Sequence, residues 1–351
     1  MDLSAFLIKL SQAAGISGYE APVRDIVRKE FALHSQVRVT KMGSVVGVRQ
    51  GSGPEPRHKV MLSAHMDEIG LMVTGIEKGF LRITEVAGSD ARVMLGQEVV
   101  VHGQRELPGV VGSRPPHVLT PDERGQVIPF EKLFVDVGLP DAQVKRLVRV
   151  GDLVSIQREA CELKGGYLTG KALDDRASVA AVAVCLEALA ASHHEWDVLG
   201  VASVQEETTF LGAATSAYDI APDVAIAIDV SFGEQNGVSG DRVVGMGKGP
   251  AIGIGPNFHP RLVKALADMA GKLEMPYQME PTPGHSGTDA WPIQVAREGI
   301  PTALLSIPLR YMHTPVEMVL LKDVERTGRL MAEFIVSLDD EFLKTLTFPV
   351  D

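Results

Sequence analysis

The stretch KVMLSAHMDEIG, residues 59–70, decides the fold. Residues Lys59 to Ala64 read as a buried strand, and it ends on His65 with Asp67 and Glu68 close behind. A strand that is apolar on both faces belongs in a sheet covered on both sides, as in proteins that alternate helix and strand. The flanking chain alternates in that way. Leu3, Phe6, Leu7 and Leu10 recur at helical spacing and predict a first helix ending near Gly15. Ser17 followed by Glu20 resembles a capping box. It opens a second helix with Pro22 in its first turn and Val23, Ile26, Val27 and Phe31 behind. Residues 37–48 predict a strand pair around Met42 and Gly43. From residue 174 the pattern predicts a helix over 174–191, the strand VLGVASV, a short helix near Leu211 and a strand over 224–230. Helices over 260–273 and 289–298, a strand over 302–307 and a last helix over 322–338 follow. The expected fold class is α/β, with a mixed or parallel sheet under helices.

Residues 69–166 interrupt this alternation with short β-rich runs (LMVTGI, FLRITEV, QEVVVHG, PGVVG, KLFVDVG, LVSI) between glycine, proline and charged turns. One helical stretch, 141–148, breaks the series. That pattern predicts a small barrel or sandwich. The expected organisation is an α/β domain of residues 1–68 and 166–351 with a β domain, 69–165, inserted after the His65 strand.

Composition narrows the function classes. Apolar residues make up 45% and charged residues 23% of the 351, as in ordinary soluble globular proteins. A net charge of −11 argues against nucleic acid as the main partner, because phosphate binding needs a basic face. The same excess of carboxylates suits divalent cations. Cys161 and Cys185 give no disulfide framework, and Cys185 in AAVAVCLEALA reads as a small buried residue. No apolar run approaches the ~18 residues of a membrane span. The N-terminal MDLSAFLIKLSQAAG lacks a basic segment ahead of an apolar core, so a cytoplasmic location is expected. His34, His58, His193 and His194 lie in polar or helix-end contexts and are expected to be solvated, while His102 and His117 fall in the β module.

Five segments deliver chemistry-bearing residues from apolar strands or a helix start. His65 and Asp67, two apart, can point into one cleft, the carboxylate orienting the imidazole; an ordinary polar strand end has the same spacing. Asp174 and Asp175 open a long helix, where an acid can cap the helix or bridge cations. Glu206 and Glu207 follow VLGVASV at the edge where open α/β sheets bind ligands. Asp229 ends the apolar strand VAIAI and would be buried unless something pairs it. His313 lies just past TALLSIPL. Three carboxylates and two imidazoles suit Zn²⁺, Co²⁺ or Mn²⁺. Five ligands are too many for one open tetrahedral ion and fit two ions sharing a carboxylate.

AHMDEIG (64–70), KALDDR (171–176), QEE (205–207), AIDV (227–230), SGTDA (286–290) and PLRYMHTPVE (308–317), in that order, resemble the tetrahedral-type metallo-aminopeptidases, which include glutamyl and deblocking aminopeptidases. The resemblance covers nearly the whole chain, including SRPPH at 113–117. It implies an aminopeptidase that removes N-terminal residues from peptides with a free N-terminus, using two divalent metal ions per subunit, zinc or cobalt with manganese as an alternative. His65, Asp174 and Asp229 would hold one ion, and Asp174, Glu207 and His313 the other, with Asp174 bridging. Glu206 would be general base and then general acid, and Asp67 would orient His65. Asp175 accompanies the bridging residue without entering the ligand set. His285 and Ser286 precede Gly287 where relatives often have another small residue, a difference that would alter the pocket and not the metals. The β domain would build homo-oligomers, dimers assembling into a tetrahedral dodecamer. A related dimetal carboxypeptidase or deacylase would use the same cluster, and a non-catalytic assembly protein would leave Glu206 without a role. The endoglucanase label carried by some relatives fits poorly, since a glycosidase needs two carboxyl groups and no set of five ligands.

Overall fold

The computed structural model describes residues 1–347. Its α/β part is built on an 11-stranded mixed sheet. At the centre, Asp197–Ser203, Lys59–His65, Val224–Phe232 and Thr302–Arg310 run parallel in that spatial order. Antiparallel strands extend both edges. The hairpin Gln36–Val39 and Val45–Arg49 flanks Asp197–Ser203, and Glu317–Leu320, Tyr167–Gly170 and Cys161–Leu163 follow Thr302–Arg310.

Side-chain alternation distributes each central strand between two cores. Val60, Leu62 and Ala64 enter the larger one, while Met61 enters a smaller one with Val201, Ala213 and Ile293. Helices Leu3–Gln12, Ala21–Phe31, Leu173–Ala190, Pro260–Lys272 and Leu321–Val336 supply the larger core. Leu211–Ile220 and Ala290–Gln294 cover the other face. Helix Leu173–Ala190 is alanine-rich and buried on nearly every side, as expected of a helix packed all round. Close approach is possible because Gly328 of the last long helix faces it; a methyl there would sit 2.6 Å from the Ala181 carbonyl.

The β-rich stretch forms a closed six-stranded antiparallel barrel of Gly70–Glu77, Phe80–Val86, Phe134–Asp136, Glu106–Gly112, Glu98–His102 and Leu153–Ile156. Leu71, Leu81, Val99, Val101, Val135 and Val154 fill it. Cys161–Leu163 already pairs with the large sheet.

Several local expectations change. Ser17 does not cap the second helix: its hydroxyl pairs with the Thr208 hydroxyl at 2.8 Å, and Glu20 accepts from the Gly18 and Gln205 backbone N–H groups. Asp174 does not cap its helix either, since Asp174 and Asp175 have non-helical backbone angles and no side chain caps that start. His194 is buried, with Nδ1 2.8 Å from the Trp196 carbonyl. Strands Ala251–Ile254 and Gln278–Pro281 and the short helix Glu206–Thr209 lacked a readable period. No helix among the described residues is long and apolar enough to cross a membrane.

A buried ionic cluster ties the N-terminal helices to the strand end at His65. Arg176 is fully buried and donates to the carbonyls of Leu10, Ala13 and Met66. Glu68 accepts from Lys171 and from the Gly15 N–H, and lies 3.4 Å from the Arg176 guanidinium. Burial pulls the Lys171 ammonium down to about 8, against the pull of Glu68. Removing one partner from such a cluster costs about 3–5 kcal/mol, because it strands the other charges.

Candidate active site

The parallel strands deliver their last residues to one edge. Ser203 is in register with His65, and Asp229 with Ser306. His65 shares the face of Met61 and Ser63 by alternation, and Asp229 that of Ala225. The chain leaves these ends through turns in uncommon backbone conformations. Ala172, Gln205, Phe210, Tyr311 and His313 all have φ between +55° and +60°. Each costs on the order of 1–3 kcal/mol, strain that collects at functional sites.

All seven residues singled out from the sequence meet here. His65 Nε2 lies 3.2 Å from Asp174 Oδ1 and 3.7 Å from Glu206 Oε2, and its Nδ1 is 3.5 Å from Asp67. His313 Nε2 lies 3.4 Å from the other Asp174 oxygen and 3.6 Å from Glu207. Asp174 thus stands between the two imidazoles. Potential ligand atoms of His65, Asp174 and Glu207 lie within 4.8 Å of one another, as do those of His65, Asp175 and Asp229. Asp175, kept outside the expected ligand set, therefore lies close enough to belong to the second group.

Several supporting residues were not assigned from the sequence. Glu317 accepts the backbone N–H of Asp174 (3.1 Å) and of His313 (2.8 Å), so one buried carboxylate fixes both loops. Asp289 accepts from the Ser63 and Ser203 hydroxyls. Glu317 stands four residues after His313, a spacing that could have drawn notice; Asp289 lies inside the quoted SGTDA without a pattern of its own. Asp67 does more than face His65, since it also accepts the Glu206 and Glu207 N–H groups at 3.0 and 3.2 Å. The barrel side contributes as well. A Cβ on Gly88 would come within 2.6 Å of His313 Nδ1, so only glycine fits behind that ring.

Burial drives the electrostatics. It pushes the carboxyls of Asp175, Glu206, Asp229 and Glu317 well above their usual range, and Glu207 to about 7, with neighbouring carboxylates adding to the rise. Burial opposes charge on His65, yet Glu206, Asp174 and Asp67 hold its pKa well above normal. A hydrogen bond with Asp174 lifts His313 to about 9. Asp174 is held low by both imidazoles despite its burial. His65 Nδ1 and Glu206 Oε1 are buried without hydrogen-bond partners among the described residues. Crowded carboxylates and imidazoles, with ligand atoms of His65, Asp174 and Glu207 and of His65, Asp175 and Asp229 within 4.8 Å of one another, fit a cation centre. The donors are oxygen and nitrogen without thiolate, the set suited to catalytic Zn²⁺, Co²⁺ or Mn²⁺. The centre opens into a cleft of about 360 Å³.

Residues 43–330 match the model of the M42 glutamyl aminopeptidase family. The chain belongs to that family. It is 37% identical over 339 residues to lysyl aminopeptidase of Pyrococcus furiosus, covering 94% of this chain and 96% of the relative. The solved aminopeptidase of the archaeon Desulfurococcus kamchatkensis superposes with a TM-score of 0.91 at 38% identity, covering 99% of this chain and 98% of the other. The TET1 peptidase of Pyrococcus horikoshii, described as assembling into a tetrahedron or a large octahedral shell, gives 0.85 at 32% identity, covering 96% and 100%. M42 membership places the chain among the aminopeptidases and leaves open which residues of the cluster carry the reaction.

The buried charges set a pH dependence. Glu207, raised from 4.5 to about 7, contributes stability that is complete below 4.5 and lost as pH rises through 7. His313, raised from 6.5 to about 9, contributes below 6.5 and loses it through 9. Asp174, held low, changes nothing in that window because it is already ionised. Lys171, lowered to about 8, acts in the opposite sense only above that pH, so chelator-treated protein is expected to melt at progressively lower temperature from pH 5 to pH 8. Divalent ion at 100 times its dissociation constant should restore about 2.7 kcal/mol. Calorimetry with and without Zn²⁺ checks both; a pH-independent melt that ignores the ion would contradict the electrostatic picture.

Proposed function

We propose that the chain is a dimetal aminopeptidase in which His65, Asp174 and Asp229 hold one divalent ion, Asp174, Glu207 and His313 hold the other, and Glu206 is the proton carrier. Zinc or cobalt fits the donor set best, with manganese as an alternative. The observation that carries this reading is the placement of Glu206. Its Oε2 faces His65 at 3.7 Å, its Oε1 has no hydrogen-bond partner among the described residues, and its backbone is pinned by Asp67.

When bound, the ion pair would supply Lewis-acid polarisation of the scissile carbonyl and make water acidic enough to attack near neutral pH. The protein's own residues do the rest. The Glu206 carboxylate takes a proton from the attacking water, and burial makes it a stronger base than an exposed glutamate. The resulting acid sits beside the same bond and returns the proton to the leaving amine. Asp67 fixes the Glu206–Glu207 turn through two backbone hydrogen bonds and faces the His65 ring. Glu317 keeps Asp174 and His313 in mutual register. A free N-terminal amine would be a further nitrogen donor toward the bound ions, which suits removal of residues from peptide ends.

General base catalysis contributes about 10²–10⁴-fold, so Glu206→Gln should lower kcat by at least ~100-fold while divalent-ion binding, measured by calorimetry, is retained. A free aminoacyl p-nitroanilide should be cleaved and its N-acetylated form spared. Cleavage of the acetylated form instead would favour a deacylase, and near-normal turnover in Glu206→Gln would remove that residue from the proton path.

We also propose that residues 69–165 form an inserted domain serving assembly, with dimers building a dodecamer as the Pyrococcus horikoshii relative's tetrahedron suggests. Light scattering of the purified chain should give the dodecamer mass. A monomer at micromolar concentration would contradict this assignment.

A further inference from the structure

The cleft extends past the carboxylate–imidazole cluster to an acid that the proposed chemistry does not use. Glu280 lies on Gln278–Pro281, which runs parallel to Ala251–Ile254 with Glu280 opposite Gly253. Its residue is 8% exposed and lines the same cleft as Glu206 and Asp229. The Ser231 hydroxyl donates to Oε1, while Oε2 is buried with no hydrogen-bond partner among the described residues. Ser231 is two residues beyond Asp229 on the strand Val224–Phe232, so both side chains share a face, separated by roughly 6–7 Å of strand. Glu280 thus lies in the same cleft as the cluster, held at Ser231, two residues past Asp229 along the strand.

A buried carboxylate oxygen with no donor is costly, and the deficit is met when a cation arrives with its own N–H groups. Leu304 offers an apolar surface for a methylene stem, and Ser306 and Thr282 are uncharged. Arg242 is a cation lining the same cleft, and His285 lines it too. Arg242 is exposed, so its field is screened by water and salt, whereas that of the buried glutamate is screened much less. An acidic side chain would meet like charge at Glu280, and an aliphatic one would leave Oε2 unpaired.

We propose that Glu280 is a specificity-determining residue that receives the side chain of an N-terminal lysine or arginine. The proposal rests on the aminopeptidase reading and adds the substrate class to it. Lysine reaches the carboxylate as a point charge on a four-carbon stem, and arginine can engage it with a planar fork.

The experiment compares kcat/KM for lysyl, arginyl, leucyl and glutamyl p-nitroanilides, using zinc- or cobalt-loaded wild type, Glu280→Gln and Glu280→Leu, each with a melting curve. Wild type should favour lysyl and arginyl substrates over leucyl by at least ~10-fold, a difference of about 1.4 kcal/mol. Glu280→Gln should lower the lysyl value ~10–100-fold, chiefly through KM, and leave the leucyl value within about threefold. Glu280→Leu should bring the leucyl value above the lysyl one. Equal loss on all four substrates, or a wild type that prefers leucyl or glutamyl, overturns the role given to Glu280 while leaving the aminopeptidase reading intact. A wild type that cleaves none of the four overturns the aminopeptidase reading on which the proposal rests.

Discussion

Carboxylates buried side by side are the constraint on which the rest of the structure depends. Asp174, Asp175, Glu206, Glu207 and Asp229 converge on one sheet edge with two imidazoles between them. Lost hydration and mutual repulsion push up the pKa of every member except Asp174, which both histidines hold ionised. Such a cluster is tolerable when cations occupy it and expensive otherwise. The fold is organised to keep these groups together in spite of that cost.

The holding is done by a shell of polar contacts on several elements. Asp67 grips the Glu206–Glu207 turn, Glu317 grips the Asp174 and His313 loops, and Asp289 joins the strands of Ser63 and Ser203. Arg176, two residues past Asp174, anchors Met66 and the end of the first helix, so the His65 loop is fixed from behind. Gly88 shows that the barrel side is part of this arrangement, because its missing side chain leaves room for the His313 ring. Catalytic precision in such sites comes from supports that lock each group in place.

Much of this was legible in the sequence because the signals were strong and local. Apolar runs leading into His65 and Asp229 are readable from hydrophobicity alone, since an acid after VAIAI has nowhere polar to go, although the strand itself continues to Phe232. The parallel order of four strands brings their ends together, which converts separate weak motifs into one cluster. The same logic failed where function depends on tertiary partners. Ser17 and Glu20 fit the capping pattern, yet contacts with Thr208 and Gln205 claimed both side chains. Asp174 looked like a helix cap because its sequence neighbours are helical, while its backbone is bent to face two histidines. Glu280 and Glu317 sit in short strands without alternation strong enough to read, and only the folded chain shows what surrounds them.

The most direct test is to count the divalent ions held by each chain. After loading and dialysis, elemental analysis of wild type and Asp174→Ala measures the occupancy of the cluster. Two ions per wild-type chain, with loss of tight binding when the shared carboxylate is removed, is the result this account predicts. Wild-type protein that retains no ion, or an Asp174→Ala variant that still holds two, would contradict it.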